Sequence, residues 1–334
     1  MKPHKRSRRF YNDHHDRIRD RFWHMLKEWW FYAKRRLGKQ NKRPFFEPEF
    51  NLENWMCRET PKSSSIEPVI TWVGHATFLI QINGLNILTD PVFFNLEKMP
   101  IFFKRRVHVP FGIDKLPKIH AILISHSHQD HMDKPTLLAL KKDQPHIFVP
   151  HGKKNWFLKH DFKHVTELEW WQSIDMNSVK FTFLPAVHWT GREIFDINKS
   201  LWGSWMLEVL DKKIYFAGDT AYGKHFAKIN ENFGPIDIAL MPIAPNEPRH
   251  FINHVHLSAQ DAIKAFIDLG AHDFIPMHWG TFESGLDTFI DPINLLQKYW
   301  HEKTSDLENK KLHIVKFGEP VYFNTRNHED RSGL

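Results

Sequence analysis

The sequence predicts an α/β fold, and two observations carry that prediction. Short runs rich in Val, Ile, Leu and Phe recur along the chain and are closed by polar or turn-forming residues, as buried strands are. Between several of them lie stretches whose apolar residues recur at helical spacing, so strands and helices alternate.

Strands are expected at 69–73, 77–82, 85–89, 120–124, 146–149, 179–184, 205–209, 213–217, 237–241, 274–277 and 313–316. Helices are expected at 134–142, 152–160, 222–231, 258–269 and 291–303. The fourth helix has the clearest boundaries. Ser258 is a natural N-cap, Ala262, Ile263, Phe266, Ile267 and Leu269 form an apolar stripe, and Gly270 is a stop. A doubly wound nucleotide-binding sheet is the rival arrangement, but no glycine-rich phosphate loop opens a helix here. With 41% hydrophobic residues, 28 Phe and 13 Trp, the 334-residue chain can bury a large core. Pro61-Lys62-Ser63-Ser64-Ser65 has the composition of a short linker before the first strand. The expected division is one folded domain over 45–334 and a basic amphipathic extension over 1–44.

Charge separates these two parts. Residues 1–43 contain 15 Lys and Arg against 4 Asp and Glu, a net of +11, whereas the remainder has 31 against 35. Ile18, Phe22, Met25, Leu26, Trp29, Ala33 and Leu37 mark an apolar stripe there, flanked by Arg17, Arg21, Lys27, Lys34, Arg35 and Arg36. Three arrangements fit such a helix. It can pack on its own domain, lie in a membrane interface, or contact nucleic acid through cations interleaved with aromatics. No uncharged apolar run is long enough for a signal peptide or a membrane span, so the expectation is a cytoplasmic protein, peripheral at the inner face of a membrane. Cys57 is the single cysteine, which excludes an intrachain disulfide.

The most informative segment is Ser125-His126-Ser127-His128-Gln129-Asp130-His131-Met132-Asp133, directly after Ala121-Ile122-Leu123-Ile124. Three imidazoles and a carboxylate within six positions are ligand types that zinc accepts, and one ion could not easily use all four from so short a loop. Two metals are the natural reading. Three other apolar runs end in a ligand type: 181–187 at His188, 214–218 at Asp219, and 274–277 at His278. The chain has 24 His, and a lone strand-end histidine is more often structural than ligating. The four-residue cluster with distant partners is different, because spacing and strand context agree on one coordination scheme. His126, His128 and His188 are assigned to one metal, and Asp130, His131 and His278 to the other. Asp219 bridges them. Two Zn2+ per chain are expected, with Mn2+ or Fe2+ as alternatives, and metal binding would bring a water pKa down to about 7 to supply a nucleophile. Trp189 and Arg192, next to His188, are candidates to line the pocket, Arg192 holding a phosphate oxygen or making a surface salt bridge.

Beyond this motif, several stretches recur in the order of a known family: Thr71-Trp72-Val73-Gly74-His75-Ala76-Thr77, Thr89-Asp90-Pro91-Val92-Phe93, Leu201-Trp202-Gly203-Ser204-Trp205, Phe216-Ala217-Gly218-Asp219-Thr220, Glu247-Pro248-Arg249 and His278-Trp279-Gly280-Thr281-Phe282. On these residues the chain resembles the metallo-β-lactamase superfamily, and within it the N-acylphosphatidylethanolamine-hydrolysing phospholipase D family. The resemblance covers roughly residues 68 to 325. The metal motif identifies only the superfamily; the tryptophan-rich block and the last two stretches narrow it.

The resemblance implies a four-layer αββα sandwich with the metals at one edge. It implies a zinc-dependent phosphodiesterase of phospholipase D type, cleaving N-acylphosphatidylethanolamine-like phospholipids to phosphatidic acid and N-acylethanolamine. The alternative is a metal-dependent lactonase or phosphoesterase acting on a soluble metabolite. Asp130 and His256 are the expected catalytic residues. His256 aligns with a family histidine, and with His250, His254 and Tyr222 it is a candidate proton donor to the leaving alcohol. His75 and Asp90 are expected behind the ligands, Asp90 accepting the free N–H of a metal-bound imidazole. Asp219 in place of a thiolate moves the site away from the members that cleave β-lactams. The partners implied are a phospholipid substrate, a membrane surface met through the N-terminal arm, and a second copy in a homodimer; nucleic acid is disfavoured. Gln129 and Ala244-Pro245-Asn246 depart from the family pattern, and both bear on the pocket rather than the ligands.

Overall fold

The computed structural model describes residues 3–6, 9–12, 44–96, 105–193 and 195–324. The chain opens with an antiparallel hairpin of β1 (His4–Arg6) and β2 (Arg9–Tyr11). One seven-stranded sheet contains β3 (Val69–Gly74), β4 (Thr77–Ile82), β5 (Leu85–Thr89), β6 (Ala121–Leu123), β7 (His146–Pro150) and β8 (Val165–Leu168) in that order, with β16 (Pro320–Tyr322) outside β3. The other contains β9 (Ser173–Met176), β10 (Val179–Leu184), β11 (Ser204–Val209), β12 (Lys212–Phe216), β13 (Ile238–Pro242), β14 (Asp273–Met277) and β15 (Lys311–Leu312), again in sequential spatial order.

Hairpin-connected strands are antiparallel, and pairs separated by helices are parallel. Helices α1 (Lys134–Leu140) and α2 (Lys154–Leu158) serve the first sheet. Helices α3 (His225–Phe233), α4 (Arg249–Ile252), α5 (Ala259–Asp268) and α6 (Asp291–Glu302) serve the second.

Two mixed sheets flanked by helices follow from the strand sequences, because successive side chains point to opposite faces. Leu79, Leu88, Ile122, Ile124, Ile147 and Val149 share a cluster with Leu137, Leu140 and Phe157 of α1 and α2. Their neighbours Phe78, Ile80, Ile87, Leu123 and Phe148 enter the central cluster between the sheets. There Phe148 stacks on Phe181 of the other sheet at 4.8 Å. Both faces are covered, which is why these strands are mostly apolar, with Thr77, Gln81, Asn86 and Thr89 as exceptions. Phe148→Ala is expected to cost about 3–5 kcal/mol, read as a lower urea midpoint, since a fully buried ring leaves a cavity that the two sheets cannot close.

Caps place the helices as the sequence indicates. Ser258 Oγ accepts the Asp261 N–H at 3.1 Å, Gly270 stops α5 at φ +63°, and Asp133 caps α1 by accepting from Thr136 N at 3.0 Å. Ile267 is only partly buried, so the α5 stripe runs instead through Ala259, Ala262, Ile263, Ala265 and Phe266.

Three expectations need correction. The last strand of the second sheet is at Lys311–Leu312 rather than 313–316, and β8, β9 and β16 were not anticipated. Residues 62–65 are not a free linker: Lys62 O and Ser63 O accept hydrogen bonds from Gln81 and Asn86, and Ser65 O accepts from Gly84. Nor does a boundary at residue 44 isolate the N-terminus, since Phe10 is 1% exposed within the central cluster. The amphipathic stretch from Ile18 to Leu37 lies outside the described residues.

Candidate metal centre

All the proposed ligands leave their strands at one edge of the sandwich. The 125–131 loop follows β6, His188 follows β10, Asp219 follows β12 and His278 follows β14. Asp90 follows β5, and His75 stands in the turn between β3 and β4. His75, Asp90 and His278 have positive φ of 51°, 34° and 63°, an uncommon conformation for residues with a Cβ. Such strain clusters where side chains must be aimed.

The donor atoms converge. His126, His128 and His188 form one group whose ligand atoms lie within 4.8 Å of one another, with His126 Nε2 and His188 Nε2 at 2.8 and 3.3 Å from His128 Nδ1. His75, Asp130, His131 and His278 form a second group. Asp219 stands between them, Oδ1 at 3.1 Å from His278 Nε2 and Oδ2 at 3.3 Å from His131 Nε2 and 3.7 Å from His188 Nε2. That is the placement a bridging carboxylate requires.

Four imidazoles are aimed by the nitrogen that faces away from the centre. His131 Nδ1 meets Asp90 Oδ2 at 2.8 Å, His188 Nδ1 donates to Val255 O at 2.9 Å, and His278 Nδ1 donates to Ala244 O at 3.0 Å. His126 Nδ1 meets Ser125 Oγ at 2.9 Å. Each ring therefore presents Nε2 inward, the arrangement that metal-binding histidines use. Asp90 is itself fixed by Ser125 N at 2.7 Å.

A divalent ion fits these residues on an independent ground. His131 Nε2, His278 Nε2 and Asp219 Oδ1 are buried yet make no hydrogen bond, although they face one another. Buried polar atoms are normally satisfied, so an orphaned convergent set marks a cation's place. Electrostatics agree. Burial pushes His75 and His188 down to about 3 and His128 down to about 4, and it also lowers His126, so these rings are neutral at pH 7, as ligation requires. For Asp219, burial works against ionisation, but His131 and His278 prevail and hold its carboxyl well below the usual range. His131 is raised in turn: burial opposes its charge, and Asp219 and Asp130 override it.

Above the cluster is a cavity of about 300 Å³ whose walls include Trp189, Arg192, Pro245, Ile252, Val255 and His256. The Trp189 ring meets His128 edge to face at 4.3 Å. His256 Nδ1 lies 3.8 Å from Asp219 Oδ2, and the same ring forms a third group with His188 and Asp219. Its pKa is pushed down to about 3, chiefly by burial.

Three expectations are corrected or refined here. The Tyr222 hydroxyl donates to Asp268 on α5 and does not line the cavity, so it is no proton donor to this site. Among the described residues Arg192 makes no surface ion pair; it lines the cavity, with one guanidinium nitrogen held by the backbone. Its Nη1 donates to Met132 O at 2.6 Å and Ser127 O at 3.2 Å, which ties the 188–198 loop to the 125–131 loop. His75 Nε2 meets Asp130 Oδ2 at 3.1 Å, as a support behind a ligand does, and the same ring also falls within the group of Asp130, His131 and His278.

The sequence reading missed Ser125, Thr281, Val255 and Ala244. Thr281 Oγ1 accepts the His75 N–H at 2.7 Å, and its place beside ligand His278 was the one available signal. Substituting Asp90 with Asn is expected to weaken metal binding and turnover about 10–100-fold, because His131 loses the partner that fixes its ring. Elemental analysis after dialysis against a weak chelator would check this.

Comparison with known proteins gives consistent results. A family model described as a β-lactamase superfamily domain matches residues 85–279. The N-acyl-phosphatidylethanolamine-hydrolyzing phospholipase D, mitochondrial, of Saccharomyces cerevisiae is 36% identical over 236 residues, 68% of this chain and 50% of that protein. This chain thus spans half the length of that relative. The N-acyl-phosphatidylethanolamine-hydrolyzing phospholipase D 1 of Caenorhabditis elegans is 31% identical over 264 residues, covering 75% of this chain and 74% of that protein. Among solved structures, a metallo hydrolase of the archaeon Ignicoccus hospitalis superposes with a TM-score of 0.60 at 21% identity, over 78% of this chain and 99% of that one. It supports the fold alone.

Proposed function

This chain belongs to the metallo-β-lactamase superfamily, and on that premise we propose that it is a metal-dependent phosphodiesterase of phospholipase D type acting on N-acylated ethanolamine phospholipids. The observation that carries the reading is the likeness to the worm enzyme, which extends over three quarters of this chain and of that protein. Two Zn2+ ions are proposed, one on His126, His128 and His188 and one on Asp130, His131 and His278, with Asp219 shared. When bound, such a pair supplies a nucleophile from water at neutral pH and neutralises charge on the phosphoryl oxygens.

The chain's own groups do the rest. Asp219 and Asp130 hold the two ligand sets in register. His256, whose buried Nδ1 makes no hydrogen bond, is the proposed partner of the departing ethanolamine oxygen, acting as a neutral N–H donor because burial pushes its pKa down to about 3. Trp189, Pro245, Ile252 and Val255 exclude water from the scissile bond. A cavity of about 300 Å³ suits a headgroup and not two acyl chains, so the lipid's tails would stay outside it.

The proposal extends to peripheral attachment at the cytoplasmic face of a membrane through residues 13–43. Among the described residues no helix is long and apolar enough to cross one.

Product analysis tests the reaction. Attack of water on phosphorus with loss of the ethanolamine oxygen must yield phosphatidic acid and the N-acylethanolamine, both identified by mass spectrometry. Release of free fatty acid or diacylglycerol would refute the assignment. Opening of lactones without lipid turnover would favour the soluble-metabolite alternative.

A further inference from the structure

We propose that the N-terminal strand β2 and Asn12 are a positioning element of the metal centre, locking the cavity-wall loop that begins at His188. The proposal rests on the metal reading for its functional consequence and on hydrogen bonds for its geometry.

Residues 185–203 connect β10 to β11, and the described residues among them form no strand or helix. Connections of that length inside a compact domain are uncommon and need anchoring when they carry function. This one carries His188, Trp189 and Arg192. From within, Asn198 ties the loop together: its N–H donates to Thr190 O at 2.7 Å, and its Oδ1 accepts from Thr190 N at 3.1 Å. Thr190 Oγ1 then accepts the N–H of Ser127 at 3.1 Å, between His126 and His128.

The N-terminal strand holds the same loop at both ends. Phe10 N–H donates to Asn198 O at 2.8 Å, and the Arg9 guanidinium donates to Ile197 O. Asn12, 7% exposed, donates from Nδ2 to His188 O at 3.0 Å. His188 is thus fixed twice, by Asn12 through its backbone and by Val255 through its ring. The buried Phe10 ring, edge-on to His151 at 5.7 Å, pins the strand in place. A backbone carbonyl cannot choose its own direction, so a donor imposed on His188 O sets where that ring departs from the chain.

The test uses the full-length chain. Asn12→Asp keeps the side chain's size but removes the donor to His188 O, and Phe10→Ala removes the pin. Metal is read by titrating Co2+ into metal-free protein and following its visible absorption. Loop order is read separately, by amide hydrogen exchange of the metal-free protein.

Asn12→Asp is expected to weaken one of the two Co2+ equivalents about tenfold, at the lower end of what partners behind a ligand contribute, and to alter its absorption. It should also speed exchange across 188–198 while β6 and β14 remain protected. A merely structural strand would lower stability without a selective effect on one equivalent. Unchanged affinity for both equivalents together with unchanged loop exchange in both variants would overturn the proposal. Failure of the wild type to bind Co2+ would instead overturn the metal reading, and the exchange measurement would still decide whether the strand locks the loop.

Discussion

Asp219→Asn is expected to abolish measurable phosphodiester hydrolysis and to reduce bound metal from two equivalents toward one or none, while far-ultraviolet circular dichroism stays that of the wild type. The expectation follows from position. Among the described residues no other carboxylate lies within 4 Å of His126, His131, His188 and His278 together. An amide is isosteric, so packing around a 3% exposed side chain is retained, but it offers one weak oxygen where two charged ones stood. Partners behind a ligand contribute about 10–100-fold, so losing a shared ligand should exceed the upper end of that range. Asp90→Asn should be milder, which ranks the two positions experimentally. Two full equivalents of zinc and near-normal turnover in Asp219→Asn would remove Asp219 from the centre.

The cluster of candidate ligands was legible because each member leaves a buried strand, and buried strands are conspicuous in a sequence. Central strands such as β4, β6 and β7 are covered on both faces and therefore apolar at nearly every position. Within the two seven-stranded sheets, the strands that sequence reading missed or misplaced, β8, β9, β15 and β16, are the four edges; the small β1–β2 pair was missed as well. Edge strands pair on one side only and carry polar residues that discourage further pairing, as Glu167, Asp175 and Lys311 do here. They have no apolar signature to find.

The same distinction governs the site. Ligands must be particular side chains, but the groups that aim them need not be. Val255 O and Ala244 O orient two imidazoles, and a backbone carbonyl is the same in every residue. Tyr222 fails, and Arg192 is read only in part, for the complementary reason. A guanidinium or phenol beside a ligand reads as a substrate group, and only the fold tells that Arg192 caps carbonyls and that Tyr222 faces Asp268. The N-terminal hairpin was obscured by composition: Phe10 and Asn12 sit in a segment whose charge marks it as a basic extension, and the apolar stripe that draws attention there begins only at Ile18. Deleting residues 1–43 would therefore remove a support of His188 along with the cationic stretch, and a loss of activity on small soluble phosphodiesters would no longer indicate misfolding alone.

Stability of the metal-free protein is expected to fall steeply as pH drops from about 6.5 toward 4. Burial holds His75, His188, His225 and His256 at about 3 and His128 at about 4, against 6.5 for a free imidazole. Within that window the unfolded chain binds protons that the native fold refuses, so stability is complete above 6.5 and is lost on acidification. His131 works in the opposite direction. Burial disfavours its charge, but Asp219 and Asp130 raise it, so its contribution is present below 6.5 and lost as pH rises through its higher folded value. Asp90, raised by burial, also resists acid. His131 and the carboxyls of Asp90, Asp133 and Asp287 are raised, but six rings including His126 are strongly lowered, as are the carboxyls of Asp130 and Asp219, so the net slope is positive with pH. Each pKa unit corresponds to about 1.4 kcal/mol before coupling among neighbours reduces the sum. The total is several kcal/mol, comparable with the stability of a whole domain. Urea titrations at pH 7.5, 6.0, 5.0 and 4.5 on chelator-treated protein would measure it, and a flat profile would contradict the buried neutral cluster. His225 provides the internal control, being buried with Thr220 Oγ1 at 3.2 Å and belonging to none of the candidate metal groups. His225→Gln should therefore flatten the acid slope by about one proton while leaving metal stoichiometry unchanged. In the metal-loaded protein the same transition should move to lower pH and become steeper, because protons must then displace the ions before they can protonate the rings.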